Sequence, residues 1–509
     1  MLPARLPSLC SFTLVLLLMS MSLDIGTCFG QFDAPSREYT LANHGFLGYA
    51  SATQHGDDQV KGDSNPVSES DPIEDLIART ALLEEKIAQY EKGERKPASD
   101  KPASEKPKFP SVAINGVFQA DGVTFNQDDA SRAAYGRVES GADFRRARLG
   151  AKGAVSDRMD YFMQMDFGFF GRPTFTDVWA DFKDAGLLGT VRVGQWKQPF
   201  SLETVSSFRY TTFMERSSAF QAFVPFRHLG VGFYDNSEDL NWTWAASYFR
   251  TGQDQFASSL STNGGNGMAG RITHLLWHDG CAGEDYLHIG GAYYLNAPPN
   301  ERSRFRSIPE IYVGEFVLPP GGPIGTSGQV VNEVANGTPF FVDTGTLAET
   351  SLTQSFGTEC LWVRGPLSWQ TEYIGTHVDT ASVGNGYLWG GYTQIGYFIT
   401  GEHRPYDRKA GAIDRVIPNS SVSKTGGIGA WELAIRLSYL DITDRGINGG
   451  EMENLTAGLN WYVNPNCKCV FNYIRSWAES RPIRNGSFVG AQSIESQTDA
   501  FGLRCQVDF

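Results

Sequence analysis

From Val112 to Phe509 the chain alternates apolar and polar residues with a period of two. Successive side chains of a strand point to opposite faces, so this pattern predicts strands with one apolar and one polar face. Phe501, Leu503, Cys505, Val507 and Phe509 oppose Gly502, Arg504, Gln506 and Asp508. Tyr161, Met163, Met165 and Phe167 oppose Asp160, Phe162, Gln164 and Asp166, and Leu240, Trp242, Trp244, Ala246 and Tyr248 form a comparable set. Further such faces are Trp431, Leu433, Ile435, Leu437 and Tyr439, and Leu455, Ala457, Leu459, Trp461 and Val463. A closing strand that ends on Phe509 predicts a barrel with an apolar outer face and a wet lumen. The competing reading is a soluble β-protein, whose apolar faces would meet in a closed core.

Counting segments predicts an all-β, transmembrane antiparallel barrel of about 16 strands. An even number puts both ends of the barrel on one side, the periplasmic side in an outer membrane. Turn length gives the same parity. Ser156-Asp157, Asn236 to Glu238 and Asn464-Pro465 fall on short turns, while 197–227 and 296–351 fall on long external loops. The long stretch 401–427 falls on the turn side and breaks the rule.

The region before the barrel reads differently. Arg5 followed by the apolar run Ser11 to Leu23 predicts a signal peptide over 1–30. Residues 31–70 are polar and aperiodic and are expected to be a disordered spacer. Ile73, Leu76, Thr80, Leu83, Ile87 and Tyr90 recur at steps of three and four, which predicts a short coiled-coil helix over 71–93. The alternative is an amphipathic helix packed on its own chain. The Lys/Pro-rich stretch 94–110 reads as an extended linker. This N-terminal region is expected in the periplasm.

Composition adds to the barrel reading. Aromatic residues make up 13% of the chain and Gly contributes 56 residues, which suits interfacial girdles, turns and bends. The net charge of −14 argues against a nucleic-acid partner, but leaves an anion path open, because a path depends on where charges sit. Cys467 and Cys469 flank Lys468; with no His nearby the pair is a weak metal signal. No G-x-S-x-G elbow, H-E-x-x-H or P-loop occurs, so the chain reads as a non-enzyme without a cofactor.

The candidate chemistry lies in arginines. Phe144-Arg145-Arg146-Ala147-Arg148 opens the second strand, and Arg209, Arg216 and Arg227 lie among aromatics in the third external loop. Arg302, Arg304 and Arg306 alternate in the fifth. Guanidinium forks match phosphate and carboxylate oxygens, and rings of Arg or Lys at a constriction select anions. Such arginines also pair with acidic side chains or lipid headgroups.

With these residues in hand, the barrel resembles the phosphate-selective porin O and P family. The matching stretches are Phe144 to Leu149, Arg192 to Phe200, Phe213-Met214-Glu215-Arg216, Thr400 to Arg404, Gly429 to Glu432 and Asn460-Trp461-Tyr462. The resemblance implies a 16-stranded homotrimeric porin in outer-membrane lipid that passes phosphate or related anions by diffusion. It also implies that Arg145 and Arg146 form an eyelet pair, that Arg304 and Arg306 are similar to a second pair, and that Phe208 or Arg209 stands where the family has a third-loop lysine. The substrate-binding residues expected are therefore Arg145, Arg146, Arg209, Arg304 and Arg306. The other functional expectation is a general-solute or sugar porin.

Overall fold

In a computed structural model, the described residues are 108–509 without 169–172, 252–263, 281–282, 315–336, 425, 482, 485–486 and 489. The expected signal peptide, spacer, coiled coil and all but the last residues of the linker lie outside them. From Phe109 onward the chain forms one compact unit.

That unit is a closed antiparallel barrel of 16 strands in sequence order. The first eight are β1 Ala113–Gln127, β2 Gly141–Ser156, β3 Met159–Asp166, β4 Thr174–Phe182, β5 Thr190–Lys197, β6 Arg227–Asn236, β7 Trp242–Arg250 and β8 Asn266–Asp279. The others are β9 Asp285–Ala297, β10 Thr350–Arg364, β11 Leu367–Thr380, β12 Gly386–Phe398, β13 Ala430–Asp444, β14 Ile447–Asn464, β15 Cys467–Ser480 and β16 Ile494–Asp508. The ladder closes where β16 pairs with β1, Val117 opposite Asp508 through Gln127 opposite Thr498. Closure leaves no edge strand, which is the condition for a sheet to sit in hydrocarbon.

The faces are inverted relative to a soluble protein. On β13 Leu433, Ile435 and Leu437 are 50%, 47% and 44% exposed, whereas Glu432, Arg436 and Ser438 are 0%, 1% and 2% exposed. On β16 Phe501 and Leu503 are exposed, while Arg504, Gln506 and Asp508 are buried inside. The apolar stripes thus form an outer band and not a closed core, which removes the soluble alternative. Aromatic residues flank the band at both ends. Trp431 stacks on Trp461 at one, and Trp389 packs on Tyr439 with Tyr373 bonded to Tyr387 at the other. Leu240 departs from the predicted pattern. It lies in the turn before β7 with a positive φ of 58°.

The short turns at 157–158, 237–241 and 465–466 share one end of the barrel with the start of β1 and the end of β16. The third loop, 198–226, and the fifth, 298–349, leave from the opposite end. The connection 399–429 is long and on the turn end, as its position in the sequence requires. Its length has a structural reason: it folds inward. Arg404, Ala412, Ile413 and Val416 are buried, the Arg404 carbonyl accepts from Tyr286, and Gly411 accepts from Arg271 on β8.

Phe509 completes the seam. Its amide donates to the Gly116 carbonyl at 3.1 Å and its carbonyl accepts from Gly116 at 3.0 Å. Its ring lies on Gly116, so a Cβ there would stand 2.4 Å from the ring's Cζ. Gly116→Leu or deletion of Phe509 should therefore lower the folded fraction in outer membranes, overpacking of this kind costing about 1–3 kcal/mol. Heat-modifiable electrophoretic mobility measures it, and unchanged assembly of both variants would remove Phe509 from the closing contact.

Candidate functional site: a guanidinium-lined lumen built on the third loop

Two neighbouring residues on a regular strand point to opposite faces. Arg145 and Arg146 nevertheless both point into the lumen, and the register explains it. Gln119 pairs with Arg146 and Ala120 with Phe144, so Arg145 is the extra residue of a β-bulge. A bulge of this kind re-aims side chains. Phe144 stays on the outer face at 62% exposure, while Arg146 is buried.

Both arginines meet the third loop. Arg145 donates from Nε to Glu215 Oε1 at 2.9 Å and from Nη2 to Oε2 at 3.1 Å. Arg146 donates to Gln119 at 2.7 Å and stands 3.6 Å from Glu215. Arg504 of β16 reaches Glu215 at 2.7 Å and grips Asp121 of β1 with two bonds at 2.7 and 2.6 Å. Burial raises the Glu215 carboxyl, but Arg145, Arg146 and Arg504 outweigh it and hold it well below the usual carboxylate range. Three guanidinium groups around one carboxylate leave an excess of positive charge, only part of which Asp121 offsets.

A second junction is Phe208. The guanidinium groups of Arg146, Arg148 and Arg209 lie 4.7, 4.6 and 5.2 Å from its ring centre. A ring face attracts cations and so holds like charges near one another. Arg209 is also 3.6 Å from Asp508, which ion-pairs with Arg415 of the turn-end connection. The structure thus gathers Arg145, Arg146 and Arg209 along one stretch of loop. Arg304 and Arg306 sit elsewhere, on a short ribbon pairing 306–307 with 342–343 that packs on β14 and β15. Arg304 binds Asp343 at 2.7 Å, and Arg306 lies 4.0 Å over Phe340. Burial, with Arg304 beside it, pushes the Arg306 guanidinium down to about 10. Among the described residues no hydrogen bond or ion pair joins Arg304 or Arg306 to Arg145, Arg146 or Arg209. The fifth loop still reaches the first group, because Tyr312 lies 4.8 Å below Arg145 and the Gly314 amide donates to Asp143.

The third loop is moored mainly through its own carbonyls. Lys197 donates to the carbonyls of Val205 and Ser206, and Arg216 to those of Glu203 and Ser206. Lys468 donates to Thr211 at 2.9 Å, Arg436 to Glu215, Arg504 to Met214 and Arg404 to Tyr210. A carbonyl accepts a hydrogen bond without cancelling the donor's charge. Acidic side chains hold the starts of two short helices of this loop, α1 Leu202–Val205 and α2 Ser218–Phe223: Glu372 accepts from the amides of Leu202 and Glu203, both at 3.0 Å, and Glu310 accepts from the Ser218 amide. Carboxylates suit helix N-termini, whose free amides point outward. Wall glycines let the loop come close. A Cβ on Gly502 would stand 2.6 Å from Met214 Sδ, and one on Gly458 3.0 Å from Phe213.

Sequence reasoning missed Glu215, Asp121, Arg504 and Lys468 as members of this site. Glu215 lies in a stretch that carried the family resemblance, and Arg504 lies on the polar face of the closing strand. Those are the signals that pointed inward. Lys468 was visible only as the residue between two cysteines.

Residues 112–509 match the family described as Phosphate-selective porin O and P. The chain belongs to that family. It is 25% identical over 410 residues to an uncharacterized protein of Caulobacter vibrioides, covering 78% of this chain and 74% of that one. It is 24% identical over 425 residues to Porin O of Pseudomonas aeruginosa, covering 78% and 88%. Among solved structures it is similar to the outer-membrane protein OmpT of Vibrio cholerae, with 10% identity, a TM-score of 0.45 and coverage of 78% and 99%. An anion-selective porin from Comamonas acidovorans gives 12% identity, a TM-score of 0.44 and coverage of 78% and 99%. The protein is an outer-membrane porin with a closed 16-stranded barrel.

Glu215 is the hub of the mooring. Glu215→Ala should leave Arg145, Arg146 and Arg504 in one buried cluster with Asp121 as their carboxylate. Removing one partner of a buried charge pair costs about 3–5 kcal/mol, here taken from the order of the loop. Amide hydrogen exchange over 207–216 should accelerate by orders of magnitude while the barrel strands stay protected; unchanged protection there would show that Glu215 does not hold the loop.

Proposed function

We propose that this porin passes small anions, phosphate or polyphosphate among them, by passive diffusion through a constriction lined by Arg145, Arg146 and Arg209. Arg306, seated over Phe340, adds positive charge along the fifth loop, while Arg304 is paired with Asp343. The observation that carries this reading is the surplus of guanidinium groups over carboxylates where the third loop meets the wall. Arg145, Arg146 and Arg504 share the one carboxylate of Glu215, and Arg216 spends its hydrogen bonds on main-chain carbonyls. In a narrow, poorly hydrated passage such charges act at close range, whereas exposed acidic groups beyond about 10 Å are screened at ordinary salt. The family's description and the kinship with Porin O support the same reading.

The proposal extends to assembly and orientation. The turn end of the barrel faces the periplasm, the barrels form a homotrimer set in outer-membrane lipid, and residues 71–93 associate as a parallel trimeric coil. Residues 1–30 are removed as a signal peptide, and 31–70 and 94–110 act as spacer and linker.

Two measurements test this. Replacing Arg145 and Arg146 with Ala should lower anion over cation permeability in planar bilayers, with conductance kept or raised. A reversal potential in a KCl gradient that the double substitution leaves unchanged would favour a general-solute porin. For the coil, ultracentrifugation of residues 71–93, alone and fused to a trimeric carrier, should report association. A monomeric, unfolded segment in both settings would reject it.

A further inference from the structure

Three cysteines meet on the outer wall at the turn end. Cys467 and Cys469 lie on β15 and Cys505 on β16. Cys469 is the direct cross-strand partner of Cys505, while Cys467 faces Val507, one pleat further along. All three occupy odd positions, on the same face as the exposed Phe471, Phe501 and Leu503. Their side chains are half-buried. Cys360 is on β10, well separated along the sheet.

Direct partners on antiparallel strands have Cα atoms about 4.5–5.5 Å apart, inside the about 4.4–6.8 Å that a disulfide spans. Diagonal neighbours are about 7–8 Å apart, outside that range. The geometry therefore distinguishes the two members of the C-x-C pair. Among the described residues no group of three or more His, Cys, Asp or Glu side chains is arranged to hold a metal ion, so a metal does not account for the cluster.

We propose that Cys469 and Cys505 are a redox pair, oxidised to a disulfide that ties the closing strand to its neighbour, and that Cys467 remains a thiol beside it. An outer-membrane chain crosses the periplasm, an oxidising compartment, before it inserts. The oxidant is a periplasmic disulfide-bearing protein. One cysteine thiolate attacks its disulfide and expels one of its sulfurs as a thiolate. The second cysteine then attacks the mixed disulfide and expels the other. Cys469 and Cys505 lose two electrons and two protons in total, and the donor disulfide becomes a dithiol. The bond closes the loop 470–504 and ties β16 to β15 along the edge opposite its pairing with β1.

The test uses the full-length protein in outer membranes, quenched with N-ethylmaleimide and digested with trypsin without reductant. Cleavage after Lys468 and Arg504 places Cys467, Cys469 and Cys505 on three separate peptides. The expected result is a peptide joined through Cys469 and Cys505, with the maleimide on Cys467. Maleimide on both Cys469 and Cys505, or a link through Cys467, overturns the proposal. A second measurement follows thermal unfolding of the barrel with and without dithiothreitol. Reductant should lower the unfolding temperature of the native protein and of Cys467→Ser by several degrees. It should leave Cys469→Ser and Cys505→Ser unmoved. An equal reductant effect in all three variants counts against the bond.

Discussion

A peptide group in hydrocarbon has no water to bond with, and every feature of this protein follows from that constraint. A sheet meets it only when its first strand finds its last. Here the meeting is the long antiparallel pairing of Ala113–Gln127 with Ile494–Asp508, extended by Phe509 onto Gly116. Once the ladder is closed, the outer face must be apolar, and polar side chains have one place left to go. The inside of this barrel therefore collects buried Arg, Lys, Asp and Glu that a soluble protein of this size would leave in water.

Buried charge then organises the third loop. Isolated charges in such surroundings are costly, so each finds a partner. Some find carboxylates, as Arg504 does in Asp121 and Arg404 in Glu432. Others find the loop's own carbonyls, which leaves their charge in place. The same contacts fix the loop inside the lumen. The turn-end connection reaches the loop from the other side: Arg404 bonds to Tyr210, and the Ile413 amide donates to Ser206. The path is bounded by segments entering from both ends, and its charge is set where they meet.

The acidic balance of the chain is compatible with the proposed anion passage. The net −14 is a property of the sequence, but potential inside a low-dielectric passage depends on nearby groups. Carboxylates such as Glu372 and Glu310 are occupied at helix starts of the third loop, where amide donors and Arg436 face them. They stabilise the loop without standing alone as fixed negative sites.

The sequence by itself determined the wall. Period-two alternation identifies strands and their faces without reference to any distant residue, and turn length fixes the parity of the ends, because both are local properties. It also marked Arg145, Arg146 and Arg209 and the anomalous length of the turn-end connection. Only tertiary structure decided what these do. Arg145 and Arg146 share a face because of a one-residue mismatch against Gln119 and Ala120, and a bulge depends on a partner strand that neighbouring residues cannot reveal. Glu215 and Arg504 are separated by most of the barrel in sequence and are 2.7 Å apart in space. The alternating arginines of the fifth loop look like one more ring when read along the chain, yet their loop folds onto β14 and β15 and gives Arg304 to Asp343. Strand identity is written in neighbouring residues; the lining of the pore depends on which loops fold inward, and on the long-range charges that hold them there.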